Sequence, residues 1–453
     1  MPLHQRNKDV PKEHKRNRPG DWMPTDHRIH REWLGSVVDH VDKNPKPLHP
    51  VIQEFKDLID NNTRLYLLFS GMFEEIPKKQ PYTMDPSGNH KQVRDYEHML
   101  QVLNHILTVA PHWNDKSQKV GMVGTPIGAV LDWPMGTPSG YAAFLDPEVN
   151  KMLKKVLNEW GRYLTTEESA AVLGNDQFGW FSEHGKHDLE ITANLGEENA
   201  AARKKFEDLF VCDPSAKYHG YKSWDDFFTR QFREGARPVA SPDDDDVIAN
   251  ACESKPYNVS KNVQARDRFW NKGQQYSVLD MLAHDPLAEK FIGGTVYQAF
   301  LSALSYHRWH APVSGTVKKA YVVDGTYYSE PLFEGVGDPN GDHHDIDIRQ
   351  ESISQGYLTA TATRALIFIE SDNPRIGLMA FLGIGMVEVS TCEITVKEGQ
   401  KVKKGDQIGM FHFGGSTHCL MFRKGVELEG FPEIGKIEHN FPVRAEVCRV
   451  VKK

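Results

Sequence analysis

Apolar positions recur along this chain with two different periods, and the change of period divides it. In His49–Asn62, HPVIQEFKDLIDNN, residues Val51, Ile52, Phe55, Leu58 and Ile59 fall on one face of a helix. YEHMLQVLNHILTV repeats the spacing with Met99, Leu103 and Ile106. DPEVNKMLKKVLNEWGRYL does so with Val149, Met152, Leu153, Val156 and Trp160, after an Asp146-Pro147 pair suited to an N-cap and first helical position. Thr165-x-x-Glu168 has the form of a capping box for the next helix. None of these stripes gathers side chains suited to catalysis, so they predict core.

From about Asp213 the period shortens. GTVKKAYVV, RALIFIE, VEVSTCEITV, QIGMFHF and VRAEVCRVV are β-rich runs with turn residues every eight to twelve positions. The longest apolar stretch, Ile376–Val389, is interrupted by glycine and carries Glu388, so it reads as a buried strand. The pattern predicts an α+β protein: a polar, disordered tail over 1–30, a helical domain over 31–205, and a mostly β domain over 213–453 with sandwich- or barrel-like sheets. The boundary is expected between Gly196 and Tyr218.

A length of 453 residues suits two or three domains. The formal charge of -8 argues against a general nucleic-acid binder. No stretch reaches the ~20 apolar residues of a membrane span, and the basic N-terminus MPLHQRNKDVPKEHKRNRPGDW lacks the apolar run of a secretory signal. Five scattered cysteines, odd in number, point to reduced thiols in a cytoplasmic protein.

One break in the β pattern needs explaining. The strand ending at Phe413 runs into Gly414-Gly415 immediately before Ser416-Thr417. Paired glycines cost a strand both packing and entropy, so the sequence predicts a tight turn there. Just upstream, VKEGQKVKKGDQIG resembles the half-motif of biotinyl and lipoyl carrier domains. The displayed lysine motif of a carrier is missing, so only the sandwich-like topology is expected to carry over.

Three segments taken together decide more. Phe227-Phe228-Thr229-Arg230 with Gly235 and Arg237-Pro238, then Tyr306-His307-Arg308-Trp309-His310-Ala311-Pro312, then Gly414-Gly415-Ser416-Thr417 follow the order FFTR…G.RP, YHRxHxP, LGST. Over about residues 218–450 the chain closely resembles the phosphatidylserine decarboxylase family of pyruvoyl-dependent enzymes. The resemblance implies a carboxy-lyase made as a zymogen. Ser416 would attack the Gly415 carbonyl, the N-to-O shift would give an ester, and elimination and hydrolysis would leave a pyruvoyl cap on residue 416. That group would replace pyridoxal phosphate as the electron sink. Glycine before the serine leaves the carbonyl open to attack and tolerates a strained backbone.

The resemblance also implies roles for individual side chains. His310 would be the base that activates Ser416, and His307 the group that supplies a proton after CO₂ loss. The family orients its base with an Asp from the segment PADG. Here Ala251-Cys252-Glu253-Ser254 stands in its place, so Glu253 is the candidate, and an unidentified acid or a water is the rival. No metal site is expected: GDPNGDHHDID (337–347) reads as a solvated insertion, and so does the Asp243–Asp246 run. Cys419 reads as a small buried residue.

The helical region, GGST in place of LGST, and ACES in place of PADG look like the soluble fungal members that decarboxylate free aromatic amino acids, L-tryptophan above all. The expected partner is therefore a small amino acid, with no stable membrane insertion and no nucleic acid. The two cleaved chains would stay associated, and the family tends to dimerise. Phosphatidylserine as substrate, or an unprocessed pseudoenzyme acting as a binding protein, are the alternatives.

Overall fold

The computed structural model describes residues 27–76, 93–113, 125–197, 199–267, 276–329, 350–388, 391–437 and 439–451. The insertion 337–347 and most of the tail lie outside them. The first described helix, His27–Lys43, already begins within the stretch read as tail.

The three helices predicted by periodicity form at Pro50–Asp60, Tyr96–Ile106 and Pro147–Leu164. Asp146 caps the last of them, accepting from Glu148 N–H at 2.8 Å with Pro147 in the first turn. The capping box at Thr165 does not form. Thr165 ends the long helix with its hydroxyl donating back to the Arg162 carbonyl, and Thr166 precedes a 3₁₀ segment, Glu167–Leu173. A hydroxyl already used at a C-terminus is lost to the next N-terminus.

Among the described residues the β region has three antiparallel sheets. The strands are β1 (Val247–Ala249), β2 (Lys255–Lys261), β3 (Thr295–Leu301), β4 (Arg308–His310), β5 (Gly315–Val323), β6 (Arg364–Ser371) and β7 (Leu378–Met386). They continue with β8 (Thr391–Ile394), β9 (Lys401–Val402), β10 (Gln407–His412), β11 (Gly415–Phe422), β12 (Leu428–Glu429) and β13 (Glu446–Val450). The large sheet runs β2-β3-β11-β7-β6-β5-β9, and two small sheets run β4-β10-β8 and β1-β13-β12. The sheets are open, so the arrangement is sandwich-like rather than a closed barrel. All nine residues of β7 are buried, as its apolar run requires.

Alternation along β11 assigns its two faces. Leu420 and Phe422 join a core with Trp309, Phe381, Phe411 and Val447 that lies toward the small sheets. Cys419 and Met421 join a second core containing Phe69, Trp160, Trp224 and Phe228. The helical region thus shares a hydrophobic core with one face of the large sheet. All five cysteines are free. Cys419 is fully buried and burial raises its pKa, so it is a packing residue.

Candidate active site

The break before Ser416 is a strained turn. Phe413 (φ 37°) and Gly414 (φ 97°) both lie in the left-handed region, which costs a non-glycine residue about 1–3 kcal/mol. β11 starts directly afterwards, with Gly415 opposite Met386 of β7 and Ser416 between Gly385 of β7 and Leu301 of β3. Ser416 is fully buried on the small-sheet face, and its Oγ has no hydrogen-bond partner among the described residues. An orphaned hydroxyl two residues past a turn strained at Phe413 suits a group made from Ser416 itself.

Upstream of the turn, His412 is bolted down. Its Nδ1 lies 2.9 Å from Asp225 Oδ1 and its Nε2 lies 2.9 Å from Glu393 Oε2. Burial opposes the imidazolium, but the two carboxylates outweigh it and raise the pKa. Asp225 lies in the short helix Trp224–Phe228, which opens the FFTR motif.

FFTR acts on the YHRWH segment. Phe228 stacks on His307 with ring centroids 3.9 Å apart. The Thr229 carbonyl accepts from Arg308 Nε at 2.7 Å. Arg230 is buried, makes no ion pair with a carboxylate among the described residues, and donates to the Leu304 and Ser305 carbonyls at 2.6 and 3.3 Å; desolvation lowers its pKa to about 10. Those carbonyls belong to the turn that leaves β3 just after Leu301, the partner of Ser416, and delivers His307.

His307 precedes β4, with its carbonyl accepting from Phe411 N–H at 3.0 Å. It is fully buried, and neither ring nitrogen makes a well-formed hydrogen bond. Burial, with Arg230 nearby, holds its pKa well below the usual value. The His307 imidazole lies against the Ser302 and Ser305 backbone, just past the end of β3 where Leu301 pairs with Ser416. His310 lies further along, opposite Gln407 at the start of β10. Its Nδ1 is 2.9 Å from the Gly405 carbonyl and its Nε2 is 3.0 Å from the Tyr306 hydroxyl. A carbonyl only accepts, so Nδ1 carries the proton and Tyr306 donates to Nε2. Burial, then Arg444, pushes its pKa down to about 3.

Glu253 does not make the orienting contact expected of it. Its carboxylate takes Arg237 Nε at 3.0 and 3.1 Å, Arg237 Nη2, and Val443 N–H at 2.8 Å. A buried guanidinium matches both carboxylate oxygens at once, which an imidazole cannot. The segment nonetheless borders the histidine, since the Ala251 carbonyl accepts from His310 N–H at 2.8 Å. Arg237 also donates to the Ala193 carbonyl at the end of the helix Glu183–Ala193, tying this corner to the helical region.

Sequence reasoning missed Tyr306, Arg230, Asp225 and His418. The first three stand inside or beside the quoted motifs, where their chemistry was a signal. His418, two residues past Ser416 on the same face, is fully buried, and burial lowers its pKa to about 3.

Two family models, both described as phosphatidylserine decarboxylase, match residues 49–189 and 224–438. The chain is 36% identical over 431 residues to the L-tryptophan decarboxylase of Psilocybe cubensis, covering 92% of this chain and 91% of that protein. It is 47% identical over 304 residues to Decarboxylase iboD of Amanita muscaria, 66% of this chain and 84% of that protein. Phosphatidylserine decarboxylase proenzyme 3 of Schizosaccharomyces pombe matches at 28% over 222 residues, 49% of this chain and 21% of that protein. The chain belongs to the phosphatidylserine decarboxylase family. It is a decarboxylase, a carboxy-lyase of a pyruvoyl-dependent family. Among the described residues no helix is long and apolar enough to cross a membrane.

Proposed function

We propose that the protein decarboxylates a free aromatic L-amino acid, L-tryptophan to tryptamine, after cleaving itself between Gly415 and Ser416. The similarity to L-tryptophan decarboxylases along nearly the whole chain, helical region included, carries the substrate reading. The orphaned Ser416 hydroxyl behind a strained turn supports the cleavage. Ser416 Oγ bonds to the Gly415 carbonyl carbon, the Gly415–Ser416 amide breaks to an ester, and β-elimination releases the Gly415 carboxylate. Hydrolysis of the resulting dehydroalanine releases ammonia. The pyruvoyl group so formed at residue 416 supplies the carbonyl electron sink for loss of CO₂.

Both histidines are neutral and so enter as proton acceptors. His310 accepts through Nε2 from the Tyr306 hydroxyl, so on this reading that hydroxyl must turn aside before His310 takes the Ser416 proton. Neutral His307 carries one N–H and has one ring nitrogen free to receive a proton and return it to the reacting carbon. Buried acceptors of this kind exclude solvent, which keeps a returned proton from being exchanged for bulk water.

The test combines intact mass with product analysis. Parent protein should yield chains 1–415 and 416–453, the short one blocked to Edman sequencing, and Ser416→Ala should stay one inactive chain. Purified enzyme should release tryptamine from L-tryptophan and leave phosphatidylserine unchanged. An active 453-residue single chain would sink the cleavage. Decarboxylase iboD matches at higher identity over a shorter stretch and its name states no substrate, so the panel includes other free amino acids beside L-tryptophan. His310→Ala should block cleavage, while His307→Ala should cleave but turn over slowly. Reversed phenotypes would make His307 the base for Ser416.

A further inference from the structure

Strands β7 and β11 end side by side, and both do so in an unusual conformation. Gly415 is opposite Met386, so the residues just outside the ladder are neighbours. Val387 (φ 49°) follows β7, and Phe413 (φ 37°) comes before β11. A β-branched residue in the left-handed region is a rarity. Such conformations persist only where the surroundings over-determine them.

The surroundings come from the helical region. The Phe413 ring meets Trp160 edge-on, centroids 5.2 Å apart, and Trp160 is itself fixed by Nε1–H donating to the Val109 carbonyl at 2.9 Å. Gly161 lies so close that a Cβ there would be 2.8 Å from Phe413 Cζ. At the other strand end, a Cβ on Gly128 would be 3.0 Å from Val387 Cγ1. Gly128 N–H, in the first turn of the helix Pro126–Met135, donates to Glu388 Oε1 at 2.8 Å. Glu388 is fully buried, and its other oxygen has no well-formed hydrogen bond among the described residues.

We infer that the helical region is a positioning element for cleavage of the Gly415–Ser416 bond. Trp160 and Gly161 hold Phe413, and Gly128 holds Val387 and Glu388, so that the strained turn keeps Ser416 aimed at its own peptide bond. This rests on the proposed cleavage. These residues touch no reacting atom and act through the turn. Intramolecular attack gains its rate from held geometry, and a small misplacement forfeits much of it.

Cleavage is timed by gel after cell-free synthesis of the full chain, and melting is measured for each variant in a Ser416→Ala background. Gly161→Ala adds one methyl group against Phe413 while raising helix propensity. It should cleave at least roughly tenfold more slowly, the equivalent of 1.4 kcal/mol in the barrier, without a lower melting temperature. Phe413→Leu added to Gly161→Ala makes room again and should cleave faster than Gly161→Ala alone. Gly128→Ala should slow cleavage as well. Parent cleaving normally, with Gly161→Ala and Gly128→Ala at the parent rate, overturns the inference and leaves the cleavage standing. Slowing that follows a lowered melting temperature and is not relieved by Phe413→Leu also overturns it. A parent that never cleaves overturns both.

Discussion

His307, His310 and His418 are each buried and held neutral, chiefly by desolvation. The unfolded chain protonates such residues near pH 6.5 and the folded chain does not, so stability is lost as pH falls below that value. Each contributes up to about 1.4 kcal/mol per pH unit. His412 has the opposite sign: its raised pKa gives stability that is complete below pH 6.5 and lost as pH rises through the folded value. Replacing His418, which has no well-formed hydrogen bond, by Leu should raise stability and flatten the acid limb. Urea midpoints at pH 5 and 7 in the Ser416→Ala background measure this, and an unchanged slope would show that His418 protonates in the fold. The Arg237–Glu253 pair makes a second prediction. Glu253→Gln leaves a buried guanidinium short of its counter-charge, at a cost of about 3–5 kcal/mol. Arg237→Met with Glu253→Met should recover much of that loss in a double-mutant cycle. Glu253→Gln would then slow cleavage only as far as it destabilises the fold.

At the scale of elements, Glu388 couples a strand end to a helix start. Burial pushes its carboxyl up to about 8, so it stays protonated in the fold at neutral pH while the unfolded chain ionises above its ordinary value of 4.5. Stability should therefore fall as pH rises from 4.5 toward 8. Glu388→Gln, which keeps an acceptor for Gly128 N–H, should remove that decline. Periodicity was enough to find the long helices and β7, because each buries a continuous stripe or run. It failed at Thr165, where two elements compete for one hydroxyl, and it could not show that helices and sheet share a core. The motifs marked Ser416, His307 and His310 because their chemistry is local in sequence. Of the partners of His310 and Glu253, Tyr306 and Arg237 stand in the quoted motifs, but Gly405 and Val443 are far away along the chain and offer only backbone, which no side-chain pattern records.

For the whole molecule, the place of β11 matters most. It is an interior strand of the large sheet, with β3 along one edge and β7 along the other. On the proposed cleavage, the fragment 416–453 begins with that strand and also supplies β12 and β13 of another sheet. Two full ladders grip it, so cutting the chain does not release it. Once the ladders are melted, however, a short free peptide would have to find the middle of a sheet that cannot form properly without it, and a unimolecular search would have become a bimolecular one. The mature enzyme is thus expected to be stable by the slowness of its unfolding rather than by equilibrium. Denatured and diluted, Ser416→Ala should regain its fold by circular dichroism to an extent independent of concentration, whereas the cleaved enzyme should recover poorly and more so the more dilute it is. Maturation would make folding a one-way passage, completed once in the lifetime of each molecule.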